Sequence, residues 1–251
     1  MRFKALIFDV DGTLADTEEA HRCAFNQAFR QHGLDWQWDR PAYAHLLKTT
    51  GGKERLNAYM NSLPLTPAER RELPARVAAL HKTKTDNYTR MVRQGLVPLR
   101  AGVARLIDEA DSAGVRLAIA STTTLGNIEA LLCTNLGPGA LDLFSVIGAG
   151  DQVACKKPAP DIYDFVLRLL GEAEEDCIAI EDSAHGLAAA KAAGLFTVVT
   201  PGYWTRDENF AAADWILPSL GSCGRPLAEL DRQFSILREC GWRTSTAARG
   251  P

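Results

Sequence analysis

At 251 residues the chain has room for one large domain or two modest ones. Hydrophobic residues make up 46% and charged residues 24%, ordinary globular proportions that permit a buried core and argue against disorder away from the ends. The formal net charge of −3, with no long acidic or basic block, does not suggest a nucleic-acid or membrane partner, and no run of about 18 apolar residues is present to span a bilayer.

The chain opens with a short apolar run, Ala5-Leu6-Ile7-Phe8, that ends in Asp9. It is too short for a signal-peptide core and reads instead as a first buried strand from Lys4 to Phe8. Residues 16 to 92 then carry helical spacing and little strand signal: Glu18 to His32, Asp39 to Leu47, Lys53 to Asn61 and Pro67 to Met91. From residue 98 onward strands and helices alternate. Gly102 to Ala113 is helical, with Gly114 as its stop. Val115 to Ala120 is a strand, Leu125 to Leu136 a helix with Thr124 at its N-cap, and Leu143 to Ile147 a strand. Asp161 to Leu170 is a helix, Cys177 to Ile180 a strand, Leu187 to Ala193 a helix, Phe196 to Val199 a strand, and Trp215 to Leu217 a short last strand.

Strands separated by helices predict right-handed crossovers and an α/β, Rossmann-like parallel sheet with helices on both faces. Residues 16–95 read as an inserted α-helical cap domain, and 1–15 with 96–240 as the core. Two linkers serving one small domain make a natural hinge, by which the insertion could close over the sheet edge. Residues 241–251 read as a frayed tail, and residues 218–240 carry no assignment. The cysteines Cys23, Cys133, Cys155, Cys177, Cys223 and Cys240 form no C-x-x-C pair, no zinc spacing and no disulfide framework, which points to reduced thiols in a cytosolic protein.

Four strand ends carry polar chemistry. The first delivers Asp9-Val10-Asp11-Gly12-Thr13, with two carboxylates at i and i+2 and a glycine that lets the chain turn sharply. The second ends in Ser121-Thr122-Thr123-Thr124, whose hydroxyls and amides at a helix start can hold a phosphate. Lys156-Lys157-Pro158 precedes the helix from Asp161, where a lysine can neutralise phosphate charge. Glu181-Asp182-Ser183 adds another acidic pair, completing a hard oxygen site suited to Mg²⁺. Each signal alone has a plain reading as a cap, a turn or a solvated charge. All four in order at the carboxyl edge of one sheet, where open α/β proteins place their sites, are specific.

In that order Asp9-Val10-Asp11-Gly12-Thr13, Ser121, Lys157 and Glu181-Asp182 resemble the four motifs of the haloacid dehalogenase-like (HAD) hydrolase superfamily, over residues 4 to 217. The resemblance implies a phosphatase with Asp9 as nucleophile, Asp11 as general acid/base, and Ser121 and Lys157 binding the transferring phosphoryl group. It also implies Mg²⁺ held by the Asp9 side chain, the Asp11 carbonyl and Asp182, with Glu181 a further ligand or acting through a water. Asp11 argues against the metal-independent dehalogenase branch, which lacks a second aspartate there.

Within the superfamily the chain is similar to the CbbY-like group. The stretch Asp16-Thr17-Glu18-Glu19-Ala20-His21, the segment Thr49-Thr50-Gly51-Gly52-Lys53-Glu54-Arg55, the run His81-Lys82-Thr83-Lys84, and the phrase from Lys156 to Tyr163 carry that likeness. It implies hydrolysis of xylulose-1,5-bisphosphate, a misfire product and inhibitor of Rubisco, to xylulose-5-phosphate. A bisphosphate needs a second anion site. Thr50, Gly51, Gly52 and Lys53 before a helix make a candidate nest, with Arg55, His81, Lys82 and Lys84 as further cations and Thr122 beside Ser121 at the core. Glu18 and His21, at i and i+3, are candidates to bind sugar hydroxyls. The glycine run is not a P-loop, for it lacks that spacing and follows no strand.

Other readings share the core: a β-phosphoglucomutase-type phosphosugar mutase, a phosphatase for another small phosphate such as phosphoglycolate or a hexose phosphate, and a non-catalytic binding protein, which the intact Asp9, Asp11, Lys157 and Asp182 set disfavours. The expected partner is a small phosphosugar, with no nucleic acid and no membrane. The expected state is a monomer in the cytoplasm, or in the plastid stroma of a photosynthetic eukaryote.

Overall fold

The computed structural model describes residues 1–49, 51–64, 66–150 and 152–241, apart from the side chain of Glu69. Thr50 and the tail beyond 241 therefore lie outside the described residues. The chain divides into two compact units, one of Thr17–Val97 and one of Met1–Asp16 with the chain from Pro98 onward.

The second of these is built on six strands: β1 (Ala5–Phe8), β2 (Arg116–Ala120), β3 (Phe144–Gly148), β4 (Cys177–Glu181), β5 (Phe196–Val199) and β6 (Trp215–Ile216). Their order is β3-β2-β1-β4-β5-β6 and every pairing is parallel. The fold is thus the expected α/β, Rossmann-like arrangement. β1, β4 and β5 are apolar or buried throughout, because helices cover both faces. Phe8 lies level with Ile119 on one side and Ile180 on the other. The next residues along, Asp9, Ala120 and Glu181, therefore emerge together where the strand order reverses about β1.

In this unit α5 (Val103–Ser112) precedes β2, and α6 (Leu125–Leu136), α7 (Asp161–Leu170) and α8 (Ala184–Ala192) follow β2, β3 and β4. Ile162, Tyr163, Val166, Leu167 and Leu170 of α7 pack with Ala189 and Ala190 of α8 over Ile7, Ala118 and Ala179. Helix α8 starts three residues before the expected Leu187, since the Ser183 hydroxyl accepts from the Gly186 amide at 3.1 Å and caps it. A last helix, α9 (Pro226–Glu239), fills the stretch that the sequence left unassigned. Its Leu227, Leu230 and Phe234 are buried, and the Phe234 ring meets Phe3 and Phe196 edge-on at 5.8 and 5.1 Å.

Among its described residues the Thr17–Val97 unit is built of helices: α1 (Thr17–Gln31), α2 (Arg40–Leu46), α3 (Gly52–Asn61) and α4 (Pro67–Arg93). Its core is aromatic. The Phe25, Phe29, Tyr43 and Tyr59 rings surround Trp38 at 4.7 to 5.9 Å. Asn26 locks that tryptophan by pairing with both its backbone N–H and its C=O at 2.8 Å. No helix among the described residues is long and apolar enough to cross a membrane.

Candidate active site

The carboxyl edge of the sheet gathers Asp9, Ser121, Lys157, Glu181 and Asp182. Lys157, from the loop between β3 and α7, has a side chain only 6% exposed. Its ammonium donates to Asp9 Oδ1 at 2.7 Å, to Glu181 Oε1 at 2.7 Å and to the Ala120 carbonyl at 2.8 Å. Those three bonds use all three of its protons and fix it in one place. Neighbouring Lys156 is exposed, so of the two lysines only the second enters the cluster. Ser121 is buried at the end of β2, and its Oγ accepts from the Thr123 amide at 3.2 Å, while Thr122 is exposed. Asp11 follows in the turn after β1, half-buried and bridged to Ala15. Gly12 makes that turn possible. Its φ is +91°, and a Cβ there would stand 2.1 Å from Asp182 Oδ2.

Crowding of buried acids sets the electrostatics. Glu181 is pushed up from 4.5 to about 7: burial raises it most, Lys157 pulls it back, and Asp9 pushes it up again. Asp182 is raised well above its usual range by burial and by the Asp9 and Glu181 carboxylates. Burial disfavours the charge on Lys157, but the Asp9 and Glu181 carboxylates outweigh it and raise its pKa. Carboxylate oxygens of Asp9, Glu181 and Asp182 all lie within 4.8 Å of one another. Three buried, mutually repelling hard oxygen donors fit a divalent cation, which relieves the strain that shows in the raised acids.

The candidate residues of the Thr17–Val97 unit fall into one connected cluster and a periphery. Arg55, 7% exposed, donates from Nη1 to the Tyr43 hydroxyl at 2.8 Å, which donates in turn to Glu18 Oε2 at 2.8 Å. The Arg55 Nε is buried with no hydrogen-bond partner. Buried Lys84 lies 3.0 Å from His21 Nδ1 and 5.0 Å from the centre of the Phe25 ring. Because the ammonium must donate, Nδ1 accepts and a neutral His21 carries its proton on Nε2. Burial and then the Lys84 charge depress both His21 and His81. Gly52 is required by close packing, since a Cβ would come 2.8 Å from His81 Nε2. Lys53 is exposed, and Lys82 is exposed and paired with Asp86 at 2.8 Å. Gly51 (φ +95°) caps α3, but the Glu54 carboxylate lies against it, so the helix start already faces one anion.

A family model for haloacid dehalogenase-like hydrolases matches residues 3–194. The chain belongs to this family. It is 51% identical over 222 residues to Protein CbbY of Rhodobacter capsulatus, covering 88% of this chain and 96% of that one. The crystal structure of CbbY from Rhodobacter sphaeroides in complex with phosphate is 49% identical, with a TM-score of 0.79 over 91% of this chain and 99% of that one. A mutant of CbbY from Rhodobacter sphaeroides in complex with xylulose-(1,5)bisphosphate matches with a TM-score of 0.78 at 49% identity, covering 88% and 96%. The chain is a phosphoric monoester hydrolase of the haloacid dehalogenase-like family.

Three residues at the carboxyl edge of this hydrolase were not singled out from sequence. Tyr163 is fully buried and donates from its hydroxyl to Glu181 Oε1 at 2.5 Å, with Lys157 Nζ 5.0 Å from the centre of its ring. Thr205 donates to Asp182 Oδ2 at 3.3 Å. Arg100 donates to the Gly12 carbonyl in the turn after β1 and to the Thr200 and Pro201 carbonyls after β5. Tyr163 had a signal available: it is the third residue of α7, six residues beyond Lys157. Thr205 and Arg100 sit in loops whose sequence carries no periodicity, and only the folded chain brings them to the acids.

Proposed function

We propose that this hydrolase is a Mg²⁺-dependent phosphatase that works through a phosphoaspartyl intermediate on Asp9 and removes one phosphate from xylulose-1,5-bisphosphate, giving xylulose-5-phosphate. The observation that carries the chemistry is Lys157 locked between Asp9 and Glu181 at 2.7 Å from each. A carboxylate is a poor nucleophile toward a phosphate dianion because like charges repel, and a cation fixed against the nucleophile offsets that repulsion without having to reorganise. Asp9 attacks phosphorus, the bond to the sugar oxygen breaks, and Asp11 gives that oxygen its proton. Asp11 then takes a proton from water as the water oxygen attacks the phosphoaspartate. The bond to Asp9 breaks, and inorganic phosphate leaves with both aspartates restored. Ser121 Oγ accepts from the Thr123 amide, which leaves its own proton to donate to a phosphoryl oxygen. Asp9, Asp182 and the Asp11 carbonyl, with Glu181 beside them, would hold Mg²⁺, which would supply charge neutralisation at the phosphoryl oxygens.

The substrate rests on the CbbY relatives and on the basic cluster of the helical unit. Arg55, Lys84 and the Nε2 proton of His21, with His81 close by, suit a second phosphate, and the unpartnered Arg55 Nε is a donor in want of an acceptor. The Glu54 carboxylate at Gly51 moves the weight of that reading from the start of α3 to these side chains. Consumption of an inhibitory by-product of Rubisco in the cytoplasm of a carbon-fixing cell is the role that follows. Phosphate release with Mg²⁺ from xylulose-1,5-bisphosphate, ribulose-1,5-bisphosphate and a panel of sugar monophosphates tests it. A strong preference for xylulose-1,5-bisphosphate is expected. Turnover of monophosphates alone would keep the Asp9 chemistry and remove the bisphosphate assignment.

A further inference from the structure

We infer that Arg100 is a positioning residue for the catalytic turn: it braces Gly12, and with it Asp9 and Asp11, against the chain that follows β5. The inference rests on the proposed roles of Asp9 and Asp11.

The turn is wound on itself, with the amides of Thr13, Leu14 and Ala15 all directed at the Val10 carbonyl and the Gly12 amide donating to Ala15 at 2.8 Å. Nothing in that winding fixes the outward-facing Gly12 carbonyl, and Arg100 does. Its Nη1 donates to the Gly12 carbonyl and, at 2.7 Å, to the Thr200 carbonyl, while Nη2 donates to the Pro201 carbonyl at 3.0 Å. Its own amide donates to Leu14 at 2.8 Å, so residue 100 grips the turn by main chain and side chain together. The far anchor belongs to the site as well, because the Thr200 amide donates to the Glu181 carbonyl at 2.7 Å. One guanidinium thus sets the spacing between the end of β1, which carries Asp9 and Asp11, and the end of β4, which carries Glu181 and Asp182. Gly12 has no slack on its other side, where a Cβ would stand 2.1 Å from Asp182 Oδ2.

The alternative is an ordinary ion pair. Asp16 is the acid beside Arg100, at 3.6 Å from Nε, but it is 61% exposed while the Arg100 side chain is 12% exposed. A wet carboxylate at that distance contributes little. Three carbonyls that converge on a planar fork account better for the burial. Lysine cannot reproduce them, since it offers one point charge in place of five fixed donors.

The test compares Arg100→Lys with Arg116→Lys. Arg116 also braces a carbonyl, that of Leu170 at 2.7 Å, but at the opposite edge of the sheet. Three quantities are read: kcat and KM for phosphate release from xylulose-1,5-bisphosphate, Mg²⁺ affinity by calorimetry, and thermal stability. We expect Arg100→Lys to lower kcat about ten- to a hundredfold and weaken Mg²⁺ binding about fivefold, with KM changed less than about twofold. Arg116→Lys should lower thermal stability alone. If Arg100→Lys does not fold, Arg100→Gln, which keeps amide donors, is read on the same three quantities. Mg²⁺ affinity and kcat within about twofold of wild type in the folded variant, or the same losses in Arg116→Lys, would overturn the brace. Asp9→Asn measured alongside separates the two ideas. If it retains turnover, the reading of the turn itself fails; if it is inactive and Arg100→Lys is unaltered, only the brace fails.

Discussion

The two units of this chain hold clusters of opposite sign under the same physical stress. At the carboxyl edge of the sheet Asp9, Glu181 and Asp182 are buried together, and burial plus mutual repulsion drives Glu181 up to about 7 and Asp182 well above its usual range. In the helical unit His21 and His81 are driven the other way, by burial and by the nearby Lys84 charge. Structural ion pairs behave differently. Asp176, at the opposite edge of the sheet, is lowered by its bond to Lys4, as a satisfied carboxylate should be. Groups forced toward neutrality beside like charges suit a ligand of the opposite sign, which is the ground on which we propose a cation for the first cluster and an anion for the second.

The largest effect should come from breaking the acidic cluster at its centre. Asp9→Asn removes the proposed nucleophile while keeping shape and one acceptor for Lys157, so kcat should fall by about three orders of magnitude or more with the fold retained. Steady-state phosphate release and thermal unfolding check both halves. Residual activity within tenfold of wild type would end the nucleophile assignment.

The basic cluster should answer to a different measurement. Arg55→Met removes the charge-assisted contact proposed for the second phosphate, each such contact being of the order of 1.5–3 kcal/mol. We expect kcat/KM for xylulose-1,5-bisphosphate to drop about ten- to a hundredfold, with turnover of a sugar monophosphate changed far less. Equal losses on both substrates would mean that Arg55 serves the helical fold and not the ligand. Lys82→Ala is the control: its exposed pair with Asp86 lies on α4, the helix of His81 and Lys84, but outside the cluster, and KM should not move.

A subtler perturbation of the acidic side is Tyr163→Phe. The ring stays over Lys157, and Glu181 Oε1 loses one of its two donors. Leaving a buried acceptor short costs about 1–3 kcal/mol. The expected loss in kcat is about tenfold with KM nearly constant, read alongside Mg²⁺ affinity by calorimetry. A fall in stability with kcat and metal affinity unchanged would make Tyr163 a packing residue.

What the sequence made legible follows from where information is local. Apolar runs such as Ala5–Phe8 and Phe196–Val199 announce buried strands, and glycines 114 and 194 announce helix stops, so the parallel α/β core could be read in order. The carboxyl-edge residues were legible for the same reason: Asp9, Ser121 and Glu181-Asp182 each sit at or directly beyond the end of a strand. Arg100 was not, because its role lies in three carbonyls from two distant turns. Helix α9 escaped notice although Leu227, Leu230 and Phe234 keep helical spacing, since the glycines and prolines from 218 to 226 mask its start. In the helical unit, the hydrogen-bonded line from Arg55 through Tyr43 to Glu18 joins three helices, and no spacing rule in one dimension brings those residues together.

The smallest effect concerns pH and isolates one residue of the basic cluster. His21 faces Lys84 at 3.0 Å, with Arg55 and His81 as further neighbouring positive groups and the Tyr88 ring 4.0 Å away. Folded, it stays neutral well below its ordinary value of 6.5. Unfolded, it takes up a proton near that value. Between the two the unfolded chain binds more protons, so His21 costs the fold stability as pH falls below about 6.5, by at most about 1.4 kcal/mol per pH unit, and costs nothing above it. His21→Asn removes the titration, so the stability gap between wild type and variant should narrow as pH drops from 7.5 to about 5.5, measured by urea unfolding. Bound phosphate should act in the opposite sense, since an anion beside a protonated His21 and Lys84 makes the charge welcome. A gap that stays constant with pH would mean that His21 is not held neutral, and one that widens would mean that it gains an acidic partner on folding. Either result would dissolve the mirror relation between the two clusters.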